Sequence, residues 1–352
     1  MCLVPGLTDE GVSFHDVADA GSMAASAPPA PESASAREGA PSLDPDAPAQ
    51  VVFLGTCGGP VLVPHRSQPA QALIVNGTTY LVEAGGGVLT QLTKAGIPLP
   101  SVRHIFLTHY HSDHVAGYPE LAILGWIQPL SIKRLDVWGP TVRSMHRSLS
   151  ALFKGDIASR EHAPGAHEIE SRRFKDMFFG HDINLKPENR RVTKVFEDDN
   201  VRVHAVRVYH GPQAEMPYAY AYRFDVTSGR STGRSVVFSG DTTPTEAMSR
   251  LAKDCDLLVH EVIHPEALER LIQDVEPSRR DLLREAIISI HTEVTDIPKV
   301  AKDANARRMI LTHLVPAFLP PQEWIESAQR AAATLSVRLD LTVANDLDVV
   351  TV

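Results

Sequence analysis

Short apolar runs, each closed by glycine or a polar turn, alternate with stretches of helical spacing from about residue 50 to residue 350. Residues 51–55, Val-Val-Phe-Leu-Gly, read as a buried strand ended by glycine. Residues 71–75 and 79–82 are strands on either side of Asn76-Gly77, a dipeptide that suits a tight hairpin turn. Gly85-Gly86-Gly87 then opens a helix over 88–94, closed by Gly96. Residues 103–107 form the next strand, 118–125 a helix, 135–138 a strand and 142–153 a helix. The stretch 154–195 mixes charges without a clear period, and no element is assigned there. Beyond it the pattern predicts strands at 201–208, 219–224, 235–238, 257–260 and 308–312. Helices are predicted at 245–252, 281–290, 296–305 and 321–334, followed by terminal strands. Strands that lead each half, with helices interspersed, predict an α+β fold of two sheets covered outside by helices, a four-layer αββα sandwich.

Composition narrows the picture. A chain of 352 residues with 43% hydrophobic content can form one large domain or two modest ones. Residues 24–49 are rich in Ala, Pro and Ser and cannot bury enough apolar surface to offset their ordering. Residues 1–49 are therefore expected to be an extended or disordered arm, and 50–352 the folded domain. A formal net charge of −9 gives no global basic field for nucleic acid, although a local basic groove stays open. Cys2, Cys57 and Cys255 are odd in number and far apart, against a disulfide framework. No segment approaches the ~18 apolar residues of a membrane helix, and Met1–Ser22 lack the pattern of a signal peptide. The expectation is a cytoplasmic protein without membrane contact, the periplasm staying open if a native signal has been replaced; a homodimer is the commonest assembly to expect.

The chemistry concentrates in Thr108-His109-Tyr110-His111-Ser112-Asp113-His114, directly after the apolar Ile105-Phe106-Leu107. Imidazole and carboxylate are the N and O donors that suit zinc and related divalent ions. In an extended loop, alternate positions 109, 111 and 113 would share one side while His114 faces another. His109 and His111 could then serve one metal position, Asp113 and His114 a second. The alternative is a solvated polar loop, which fits poorly at the end of a buried strand, where unpaired polar groups are costly.

One loop cannot close two metal sites, so further donors are expected at other strand ends. His210 follows Val208-Tyr209, Asp241 follows Val236-Val237-Phe238-Ser239-Gly240, and His313 follows Met309-Ile310-Leu311-Thr312. Each alone is a weak signal; together with 109–114 they number what two sites require.

With these motifs the chain resembles the metallo-beta-lactamase superfamily, in its ribonuclease Z and zinc arylsulfatase-like branch. The carriers are residues 108–114, Tyr-His-Gly-Pro at 209–212, Phe-Ser-Gly-Asp-Thr at 238–242 and Leu-Thr-His-Leu at 311–314. Leu-Val-His-Glu-Val at 258–262 and His-Thr-Glu-Val-Thr at 291–295 indicate the branch, and the tyrosine-rich segment 218–224 looks nearer its arylsulfatase-like side. The resemblance implies His109, His111 and His210 on one metal, Asp113, His114 and His313 on the other, and Asp241 bridging them. It implies two divalent ions, Zn2+ first, with Mn2+ or Fe also suiting these donors, and a bridging hydroxide as nucleophile. Asp113 would also orient or deprotonate the nucleophile. His291, held by Glu261, is the candidate for protonating the leaving group or touching phosphate. His260 and His264 are left outside the ligand set.

The implied activity is hydrolysis of phosphate or sulfate esters of small molecules. Transfer RNA 3′-processing and lactone or beta-lactam hydrolysis are the alternatives, because fold alone does not fix chemistry. RNA as a partner is possible but not favoured: no glycine- and proline-rich arm for gripping transfer RNA is visible, and residues 140–195, in its approximate place, are only mildly basic. A non-enzymatic metal-binding scaffold is disfavoured, since no ligand is missing. Two departures from the family pattern stand out. Glu83 occupies a place where Asp is usual and supports the metal loop, and Cys57 replaces a common glycine, more as a buried filler than a reactive thiol.

Overall fold

The computed structural model describes residues 43, 44, 47, 49–59, 61–127, 131–162, 173–186, 191–212 and 218–352. The expected arm, 1–49, lies outside them apart from Leu43, Asp44, Ala47 and Ala49, and Ala49 already opens the first strand. In chain order the first half contains β1 (Ala49–Gly55), β2 (Ala70–Val75), β3 (Thr78–Val82), α1 (Val88–Lys94), β4 (Val102–Phe106), α2 (Ser112–Val115) and α3 (Tyr118–Ile127). It continues with β5 (Leu135–Gly139), α4 (Val142–Leu152), α5 (Lys154–Glu161) and β6 (Phe178–Asp182). The second half runs β7 (Thr193–Glu197), β8 (Val201–Arg207), β9 (Tyr220–Val226), β10 (Ser235–Phe238), α6 (Glu246–Leu251), β11 (Leu257–Ile263) and α7 (Pro265–Ile272). Then come α8 (Pro277–Ile288), α9 (Ile297–Ala304), β12 (Arg308–Val315), α10 (Pro321–Leu335), β13 (Leu341–Val343) and β14 (Val349–Thr351).

These form two seven-stranded sheets, ordered β14-β1-β2-β3-β4-β5-β6 and β13-β12-β11-β10-β9-β8-β7. Strand alternation explains the layers. In β1, Val51 and Phe53 enter the cluster between the sheets, with Phe106, Tyr222, Phe224 and Phe238. Val52 and Leu54 face the other way and pack with Leu89 and Leu92 of α1 and Leu121 of α3. The second sheet is likewise buried on both faces, its outer side covered by Met248 of α6, Val300 of α9 and Trp324 of α10. The result is the four-layer αββα sandwich that the pattern predicts. No helix among the described residues is long and apolar enough to cross a membrane.

The Asn76-Gly77 hairpin forms as expected, both residues having positive φ (48° and 77°). Three assignments need correcting. Within 154–195 the chain forms α5, β6 and β7, short elements whose mixed charge hides them because β6 and β7 are half-exposed edge strands. The helix expected at 281–290 begins at Pro277, where proline occupies the first turn and needs no amide partner. The eight-residue α7, with Pro265 in the same place, is an addition to the expected elements.

Position follows from topology. β3-β4-β5-β6 and β10-β11-β12-β13 are parallel runs. The 109–114 loop leaves the carboxyl end of β4, and the Asp241 loop leaves that of β10. His313 lies near the carboxyl end of β12. Such strand ends are where open α/β sheets place their ligands.

Candidate metal centre

After β4, residues 107–111 have no regular secondary structure, and His111, with extended backbone (φ −61°, ψ 145°), caps α2. This corrects the extended-loop reading of position 113. Asp113 and His114 sit on the first helical turn, roughly 100° apart about its axis, and both are buried. The strand end is anchored from the second sheet, where the Tyr222 hydroxyl donates to the Leu107 carbonyl at 2.7 Å and the Tyr220 amide to the Thr108 carbonyl at 3.1 Å. Gly240, at φ 56°, delivers Asp241; a Cβ there would lie 2.9 Å from Thr108, so only glycine lets the two loops approach.

Two groups of nitrogens converge. His210 Nδ1 donates to the Ile290 carbonyl at 2.8 Å, which leaves Nε2 as a lone pair only 3.0 Å from His111 Nδ1. His109 uses Nδ1 on the Thr108 hydroxyl at 2.9 Å and turns a buried, unpartnered Nε2 inward. On the other side His114 Nε2 and His313 Nε2 lie 3.2 Å apart, each 3.4 Å from Asp113 Oδ2. Between the groups is Asp241, whose Oδ2 lies 3.2 Å from His313, 3.3 Å from His114, 3.6 Å from His210 and 3.8 Å from His109. His313 adopts φ 44°, a left-handed conformation that costs a non-glycine residue of order 1–3 kcal/mol and clusters at functional sites. His111 is the exposed member, at the mouth of the site.

Burial holds His109 well below the ordinary histidine range and His210 down at about 4, so both stay neutral donors. Burial also opposes charge on His114, yet Asp241 and Glu83 lift it well above that range. Burial works against ionised Asp113 and Asp241, but His114 and His313 hold both carboxyls far below their usual values. The donor set fits divalent cations: His109 and His210 are neutral with lone pairs turned inward, the carboxylates that favour a proton on His114 would equally favour a cation in its place, and polar atoms are orphaned at His109 Nε2 and Asp241 Oδ1. His109, His111, His210 and Asp241 offer ligand atoms within 4.8 Å of one another, as do Asp113, His114 and His313. Two divalent cations held there would generate a nucleophile from water near neutral pH and polarise a bound ester.

Around this core, Glu261 Oε1 accepts amide bonds from Thr242 (3.1 Å) and Thr292 (2.8 Å), and Oε2 lies 3.2 Å from His291 Nδ1. Burial disfavours charge on His291, but Glu261 raises its pKa above the ordinary value. His291 also lies within ligand reach of Asp241 and His313, a grouping that sequence spacing does not reveal. Glu83 accepts from the Thr108 amide at 3.2 Å and stands 3.4 Å from His114 Nδ1, so glutamate reaches both. Cys57 is fully buried, its thiol 3.2 Å from the Val61 carbonyl and pushed up to about 11 by burial, which fits a filler. His260 and His264 are buried but engage the Glu261 carbonyl and Ser327. The deep sandwich and its two-group donor set define a metal-dependent hydrolase.

Residues 78–314 match the Beta-lactamase superfamily domain, and the chain belongs to that family. The ribonuclease Z of Mycobacterium bovis is 27% identical over 311 residues, covering 85% of this chain and 96% of its own length. Among solved structures, the short form of human tRNase Z shares 20% identity with a TM-score of 0.58, covering 86% of this chain and 98% of its own. The metallo-beta-lactamase fold protein YhfI of Bacillus subtilis shares 16% identity with a TM-score of 0.57, covering 86% and 99%.

Proposed function

We propose that this metal-dependent ester-bond hydrolase cleaves phosphodiesters with a binuclear centre. His109, His111 and His210 would hold one cation, Asp113, His114 and His313 the other, with Asp241 between them. The carrying observation is the place of Asp241 Oδ2, within 3.8 Å of four imidazole nitrogens drawn from both groups. One carboxylate oxygen with that reach suits a shared ligand, and paired cations suit in-line displacement at phosphorus.

The chain's own residues divide the remaining work. Asp113, ionised and at the edge of the cluster, orients the attacking water. Glu261 favours the protonated form of His291 against its burial and leaves Nε2 outside that pair, where it contacts the phosphoryl group or protonates the departing oxygen. Glu261 is tied by two backbone amides, so it fixes His291 relative to the Asp241 loop.

A second reading, processing of transfer RNA 3′ ends, is favoured by the ribonuclease Z relatives that match along nearly their whole length. A panel of bis-p-nitrophenyl phosphate, p-nitrophenyl sulfate, a lactone, nitrocefin and a precursor transfer RNA separates the possibilities. The phosphodiester should turn over well ahead of the sulfate, the lactone and nitrocefin. Salt-sensitive cleavage of the precursor in preference to the small diester would select the second reading. A lactone or nitrocefin as best substrate would overturn both.

A further inference from the structure

The segment between β1 and β2 folds back on itself beside the metal centre. Its Gly59 amide donates to Asp113 Oδ2 at 3.0 Å, and a Cβ at this position would lie 2.2 Å from that oxygen. Gly58 donates to the Leu314 carbonyl at 3.0 Å, immediately after His313. The segment thus touches Asp113 itself and the residue that follows His313, yet its own ends are held from elsewhere.

The hold comes from the turn before β14. Asp346 Oδ1 accepts the Thr56 amide (3.0 Å) and hydroxyl (2.7 Å). Its Oδ2 accepts the Ser67 amide (2.6 Å) and the Gln91 side-chain amide (2.9 Å). One carboxylate therefore receives four donors, from the end of β1, from the returning strand of the loop and from α1. Arg66 completes the knot: it is 7% exposed, and its Nη1 donates to the Thr56 hydroxyl (2.6 Å) and the Ala344 carbonyl (2.8 Å) while Nη2 reaches Asn345 Oδ1 (3.0 Å). Cys57 and Ser67 are joined across the loop by a 3.0 Å backbone bond, so fixing Thr56 and Ser67 fixes where Gly59 emerges. A half-buried carboxylate with four partners specifies one arrangement, because losing any partner leaves a polar group unpaired.

We propose that Asp346 is a positioning residue for the metal centre: by clamping Thr56 and Ser67 it holds the Gly59 amide on Asp113 Oδ2. The C-terminal turn thereby sets the orientation of a carboxylate that follows β4, three strands from β1 in the sheet. This rests on the reading of Asp113 as a metal ligand.

The test compares the full wild-type chain with Asp346→Asn and Thr56→Val, stripped of metal and studied well below their melting temperatures. Asp346→Asn keeps the shape but turns one acceptor oxygen into a donor; Thr56→Val removes only the hydroxyl. Zinc titration against a competing chelator should show one of two ions bound about 10- to 100-fold more weakly in Asp346→Asn, the range for lost partners of a ligand. Thr56→Val should move the same ion by less. Hydrogen exchange without metal should quicken in the peptides carrying Gly58 and Gly59 in both variants. A merely structural role would lower the melting temperature and leave zinc affinity of the folded chain untouched. Wild-type affinity and exchange in folded Asp346→Asn overturn the proposal, and if that variant does not fold, the same result in Thr56→Val does so. A wild-type chain that binds no zinc overturns the metal-centre reading beneath it.

Discussion

In the first half of the chain one loop carries His109, His111, Asp113 and His114 within six residues, whereas in the second half His210, Asp241 and His313 arrive from three separate strand ends. The first group owes its geometry to a local event, a short irregular stretch after β4 that turns into α2 at Ser112. The second owes it to sheet order, since β8, β10 and β12 meet at one edge only because β9 and β11 lie between them. The local half follows from contiguous sequence; the dispersed half depends on long-range pairing. Asp241 is the point at which the two are joined.

Breaking that junction has the largest consequence. Asp241→Ala removes the oxygen that faces nitrogens of both groups, so diesterase activity should fall by well over the ~100-fold that outer partners cost, with metal content reduced. A variant retaining two ions and more than a tenth of the activity would deny Asp241 its shared role. Next, His291→Ala should keep both ions and lose roughly 10²- to 10⁴-fold on alkyl diesters, the scale of general acid catalysis. The p-nitrophenyl ester, with its good leaving group, should lose much less; equal losses would remove His291 from the acid role.

Glu83→Gln acts within the first half alone. It takes the charge from beside His114 and weakens the acceptor of the Thr108 amide, so metal affinity should drop about 10- to 100-fold while the fold persists. Unchanged affinity in a chelator competition would make Glu83 a packing residue only.

The smallest effect lies away from the centre, where His104 stacks on Tyr80 at 5.3 Å and tilts against Phe196 at 4.6 Å. Burial pulls its pKa down to about 4. The unfolded chain, with histidine near 6.5, then takes up the proton first, so this contribution is intact above pH 6.5 and is lost as pH falls toward 4. The loss is on the order of 3 kcal/mol at most. His104→Phe should flatten the acid side of the stability curve measured by denaturant unfolding; an unchanged slope between pH 6.5 and 4 would contradict it.

Much of this was readable in the residues, for reasons the comparison explains. Apolar runs ending in Thr-His or Gly-Asp mark strand mouths, so the donor positions and the two sheets follow from periodicity. What could not be read is what topology decides. α2 begins at Ser112, since His111 is an unremarkable cap by residue type, and Glu83 touches His114 only because β3 and β4 pair in parallel. Asp346, far along the chain, has no local signal, and its role emerges only when β14 closes beside β1. The half-exposed β6 and β7 lacked the apolar alternation that reveals buried strands.

The most direct test of the central claim is metal content of the chain purified with divalent metal present and then desalted, measured by elemental analysis against protein concentration. Two ions per chain are expected, falling to about one in His114→Ala. A wild-type chain holding none under those conditions would contradict the account.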